Sequence, residues 1–157
     1  MRSDIFDACI TALQNINGST SSYDSTYTYQ TSLAQVSRGA KFFGEINDFP
    51  FACLWVDSES RFHIGADERY PIMYFTVRVL FDGDPSNAGI PAVDIAENFL
   101  EDLDHVLKNY RKWALSSNGV DTGVIEVRAL NLATDSGMLE PRSVAECVFE
   151  VVYLNTP

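Results

Sequence analysis

Apolar positions along the chain recur with two different periods, and the switches between them mark the elements. Ile5, Cys9, Ala12, Leu13 and Ile16 fall three and four residues apart, which predicts a helix over residues 3–16. Ser3 is placed to cap it, Asp4 and Asp7 suit its positive end, and Gly18 can end it. GSTSSYDST follows as a polar loop with nothing to pack. Thr and Tyr, then Leu33, Ala34 and Val36, predict a strand over residues 27–38, its small polar residues suggesting an edge. The INDFP turn leads into a strand over 51–57, where Pro50 is tolerated because a strand start needs no ladder donor. Phe51, Cys53 and Trp55 face one way there and Ala52, Leu54 and Val56 the other, so neither side reads as solvated.

Residues 58–70 read as polar and irregular, and strict alternation over 72–81 then gives a clear strand, with Met73, Phe75, Val77, Val79 and Phe81 on one face. DGDPSNAG breaks the chain. A stripe of Ala96, Phe99, Leu100, Leu103, Val106, Leu107 and Tyr110 predicts the main helix over 91–113. Pro91 suits its first turn, acids Asp94 and Glu97 come early, and Lys108, Arg111 and Lys112 come late, as the helix dipole favours. Two strands close the chain, 124–132 and 144–154, joined by ATDSGMLEPRS. The last is the most apolar segment, with Cys147, Phe149, Val151 and Tyr153 on one face and Val148, Val152 and Leu154 around Glu150 on the other.

A block of strands with a late helix argues for an α+β fold: one domain over residues 1–157, a largely antiparallel sheet, and two main helices on one face. Leu54, Val56, Leu130, Val148 and Val152 are then expected on the opposite face, where an obligate oligomer is the simplest cover for apolar residues.

Charge narrows the partners. A net charge of −11 leaves too few cations for a dedicated nucleic-acid binder, since such binding runs on Lys and Arg displacing counterions. No apolar run approaches the roughly 20 residues of a membrane span. MRSDIFDACITALQ does not resemble a signal peptide, so the chain is expected to stay in the cytoplasm where it is made. Cys9, Cys53 and Cys147 sit in apolar runs with no zinc spacing and read as reduced core residues; the alternative is a Cys nucleophile with His63 or His105. His63, Asp67 and Glu68 match no metal-ligand spacing, and DGD lacks the later acids of a calcium loop. Glu101 and Asp104, near Asp102 and His105, fall off the apolar stripe and read as a solvated face. No catalytic site, metal site or cofactor is expected.

Several segments in a fixed order carry a family resemblance: an N-terminal helix, VSRG, INDFP before a buried strand, SESR, RYPIMYFTVRVLF, the helix AENFLEDLDHVL, and TDSGMLEPRSVAECVFEVVYL. From Met1 to Tyr153 the chain resembles the tail terminator, or tail completion, proteins of long-tailed bacteriophages. The resemblance implies a structural protein, not an enzyme: a homo-oligomeric ring, typically of six copies, at the head-proximal end of the tail. Such a ring caps the finished tail tube, meets the tail tube protein and the head–tail connector or neck protein (and the sheath, if the tail contracts), and lets DNA pass through its lumen without specific binding. It is assembled in the host cytoplasm and has no membrane contact. The candidate contact with a neighbouring copy or tube subunit is the loop Thr134, Asp135, Ser136, Gly137, Met138, Leu139, Glu140, Pro141, long for a hairpin and carrying two large apolar residues; Arg38 and Arg142 are candidates to pair with acids across the ring.

Other readings stand beside this one. Another head–tail connector or tube protein of the same particle would fit much of the pattern, but a tube subunit polymerises instead of stopping at a ring. A dimeric α+β domain for a small ligand needs a pocket lined by convergent polar groups.

Overall fold

The computed structural model describes residues 2–64, 68–82, 91–117, 119–139 and 141–154. Ile5, Ala8, Cys9, Ala12 and Leu13 give helix α1 (Arg2–Gln14) one continuous buried stripe. Ser3 lies inside this helix and does not cap it. Gly18 then takes a left-handed φ of 76°, and Asn17 bridges to Ser32, turning the chain back along α1.

The stretch from Ser19 to Ala34 differs from expectation. Only β1 (Gln35–Arg38) is a strand; residues 19–34 form a strap with one further isolated bridge, Thr20 to Thr28. Nor is the polar segment unpacked. Ser21, Tyr23 and Tyr29 are buried, because the tyrosines reach the core while their hydroxyls find polar partners, Asn15 for Tyr23 and Ser21 for Tyr29.

After β1 come a short 3-10 turn (Phe43–Glu45), β2 (Phe51–Ile64) and β3 (Glu68–Asp82). Residues 58–64, expected to be irregular, continue β2 in antiparallel register with β3, as far as Ile64 opposite Glu68. Cross-strand hydrogen bonds extend the ribbon here despite its polar sequence. Helix α2 (Ala92–Lys108) follows, with Pro91 at its N-cap. Asn109 interrupts the expected 91–113 helix, and a single turn, α3 (Tyr110–Trp113), resumes it. A minimal hairpin, β4 (Ser116–Ser117) with β5 (Val120–Asp121), leads into β6 (Val124–Thr134) and β7 (Arg142–Tyr153).

Five strands form one sheet in the order β1-β2-β3-β7-β6, antiparallel throughout except for the parallel β1–β2 edge. The fold is therefore α+β, as the element order predicts. One face meets both helices. Met73, Phe75, Val77, Val79 and Phe81 of β3 and Ala145, Cys147, Phe149, Val151 and Tyr153 of β7 pack there against α1 and α2. Phe75 stacks on Phe149 at 5.1 Å and touches Phe6 of α1 at 5.7 Å, tying three elements at one point.

Leu54 and Val56 belong to this helix-side core, not to the opposite face. Their register partners Val77 and Phe75 fix them there, because alternation along β2 must match that of β3. On the second face are Phe51, Cys53 and Leu80, covered at one end by the chain's own Ile46, Phe43 and Phe49. Val148 and Val152 do lie on that face, half-buried, while Leu130 at a bulge in β6 is 51% exposed.

Candidate interaction surface

Asp135 organises the loop between β6 and β7. One carboxylate oxygen accepts from the Ser143 hydroxyl and, at 3.1 Å, from the Val144 N–H; the other accepts from the Leu139 N–H at 2.9 Å. Partial burial pushes its pKa up, but these donors outweigh it and hold the group below the usual carboxylate range. Ser136 and Gly137 both take left-handed φ, 55° and 82°, which closes the turn. The Ser136 N–H donates to the Thr134 hydroxyl, and that hydroxyl donates to Glu97 on α2 at 3.1 Å. The loop is thus held in shape by its own polar groups, and its apolar residues are left outside. Met138 is 87% exposed and Leu139 47%. Pro141 is exposed, and Glu140 lies outside the described residues.

Arg142 and Arg38 are carried to different places. Arg142 lies over the rings of Phe43 (4.9 Å) and Phe49 (5.8 Å) and pairs with Asp82 at 3.6 Å, on the second face of the sheet. Arg38 sits over Phe6 at 4.5 Å and pairs with Asp7, on the helix side. The two cations therefore do not form one patch.

What joins the loop is the turn before β2. Phe42 is 73% exposed, while Phe43 tucks under Arg142. Phe42 and Leu139, almost a hundred residues apart, flank a groove of about 350 Å³ over Leu80 and Val144. Lys41 and Arg78 also line it; Arg78 pairs with Glu146 at 3.0 Å, and Lys41 holds no ion pair with a described residue. Sequence reasoning missed Phe42. The signal was there in KFFG, two adjacent bulky rings in a turn, only one of which a short segment can bury.

The residues considered for chemistry have structural surroundings. Asp102 is fully buried, not part of a solvated face. It accepts hydrogen bonds from the Tyr27 hydroxyl (2.7 Å), the Gln30 N–H (3.0 Å), and the Thr31 N–H (2.8 Å) and hydroxyl (2.6 Å), which fastens the 19–34 strap to α2. His105 stacks on Tyr27 at 3.9 Å, with Nε2 2.8 Å from the Ser21 hydroxyl, and burial lowers its pKa despite nearby Asp24, Asp102 and Asp104. All three cysteines are buried free thiols; burial raises the pKa of Cys9 and pushes that of Cys147 up to about 12. Among the described residues no three His, Cys, Asp or Glu gather as a metal site. The side chains of His63, Asp67 and Glu68 lie outside the described residues, as do residues 83–90.

The decisive comparison spans the chain. The family model described as bacteriophage tail tube terminator protein matches residues 2–157. The chain belongs to that family. It is accordingly a bacteriophage structural protein, a component of the virion tail that associates with the tail tube. No curated protein matches the chain.

Proposed function

We propose that this terminator-family chain forms a closed ring, of six copies, on the head-proximal end of the tail tube. The ring ends tube growth and offers its outer surface to the head–tail connector or neck protein. DNA passes through its lumen without specific contacts, which suits a chain of net charge −11. Its role is structural and requires no catalysis. The match to the tube terminator family over residues 2–157 carries the reading. Exposed Met138 and Leu139 on the hydrogen-bonded β6–β7 loop, and Phe42 on the turn before β2, support it, because large apolar side chains held in water suit a protein contact.

Closed symmetry is what makes such an assembly stop, whereas a tube subunit adds without limit. The test is to mix purified protein with growing tail tubes, and to measure the mass of the protein alone by light scattering with negative-stain imaging. The expected result is a ring of fixed mass, free or at one tube end, and tubes that cease to lengthen once it is present. Long polymers of the chain itself would point instead to a tube protein. Unchanged tube growth with no end-bound density would overturn the reading.

A further inference from the structure

We propose that the groove between Phe42 and Leu139 seats a neighbouring copy of this chain, through the carboxylate-bearing solvent face of that copy's α2. The inference rests on the ring reading and specifies which surfaces meet. Two segments far apart in sequence build the groove, and each leaves a large apolar side chain exposed beside it, Phe42 at 73% and Leu139 at 47%. The floor is apolar, Leu80 and Val144, Arg78 and Glu146 on the lining neutralise each other, and Lys41, 5.9 Å from the Phe51 ring, has no carboxylate partner among the described residues. An occupant that suits this site brings apolar surface together with unpaired negative charge.

The chain carries that chemistry itself, with 22 acids against 11 cations. The exposed side of α2 displays Asp94, Glu97 and Glu101. Among the described residues Glu97 and Glu101 accept from neutral groups, Thr134 and Gln30, and none of the three holds an ion pair. Half-buried Val93 and Ile95 lie beside them. This face of α2 and the groove are on opposite sides of the sheet, since α2 packs on the helix-side core and the groove lies over the second face. One copy therefore cannot satisfy itself. A two-fold pairing of grooves would bring no unpaired carboxylate to Lys41, because Glu146, the acid on the groove's own lining, is already held by Arg78. Groove against α2 is a head-to-tail contact, the kind that generates a ring when its rotation closes.

The test places a benzophenone amino acid at Phe42, ring for ring, in protein bound at tail-tube ends and in free protein. Irradiation is expected to link two copies of the chain, with α2 peptides in the product. Separately, Phe42→Ser with Leu139→Ser should weaken self-association at least ten-fold. Lys41→Glu should weaken it too, and Glu97→Lys with Glu101→Lys in the same chain should restore it. Both substituted apolar residues are solvent-exposed, and a retained circular dichroism spectrum excludes misfolding as the cause. Crosslinks to the tube subunit, crosslinks to another part of the chain, or undiminished association of the Phe42/Leu139 variant would each overturn the proposal while leaving the ring intact. Failure of the unmodified protein to reach tube ends would count against the ring reading itself.

Discussion

A carboxylate with no exposure and four donors around it is a demanding feature for one residue to carry. Asp102 meets it with neutral hydrogen bonds alone, two of them from backbone N–H groups of the strap. Removing the acceptor strands those donors in a buried site, and each stranded group costs about 1–3 kcal/mol. Asp102→Ala is therefore expected to destabilise the protein by about 3 kcal/mol in chemical denaturation, and to increase hydrogen exchange at Gln30 and Thr31. Asp102→Asn, which keeps one acceptor oxygen, should lose less. Cysteine reactivity is decided at the same scale. With Cys9 and Cys147 buried and held as thiols, native protein at neutral pH should resist iodoacetamide, and all three cysteines should react once it is unfolded.

At the scale of elements, the β6–β7 loop depends on the charge of Asp135. Its folded-state pKa is depressed, so its contribution is present above the unfolded value, ordinarily about 3.9, and is lost as pH falls through the lower folded value. Between pH 5 and pH 2 the wild-type protein should lose more stability than Asp135→Asn, and at pH 7 the variant, a weaker acceptor for the Ser143, Val144 and Leu139 donors at a site where solvent screens the charge, should be weaker by at most about 1 kcal/mol. Gly137→Ala should cost a similar amount, about 1 kcal/mol, because a side chain at φ 82° is strained even in open space. Equal stability of wild type and Asp135→Asn at neutral pH would show that the loop is held by other contacts. The strap illustrates the opposite case, an element whose order comes from outside itself. The strand pattern of its second half is not realised, and its structure comes from Asp102, His105 and two buried tyrosines.

For the whole molecule, the sheet is the partition. Its helix side is closed by the chain's own α1 and α2, and Phe75 sits at the junction of β3, β7 and α1. Phe75→Ala is expected to cost about 3–5 kcal/mol, read as a fall in the denaturation midpoint of the entire domain, because a void there loosens three elements together. Among the described residues its other side is covered at one end, by the turn that also raises Phe42 into solvent.

The sequence by itself determined the α+β class, the two main helices, and the strands β3 and β7 with the faces they turn to the helix-side core. Period-two alternation in residues 72–81 and the stripe of α2 dictate which side chains must leave water, and that is a local property of spacing. It also carried the family, through the order of its segments. Tertiary structure alone decided which face each side of β2 joins. Both sides of that strand are apolar, so only register with β3 sends Leu54 inward and Phe51 to the second face. It alone buried Asp102, since the donors that make an acid tolerable there come from residues some seventy positions away. And it alone brought Phe42 beside Leu139, because proximity across a sheet is set by strand pairing and leaves no trace in either segment's own pattern.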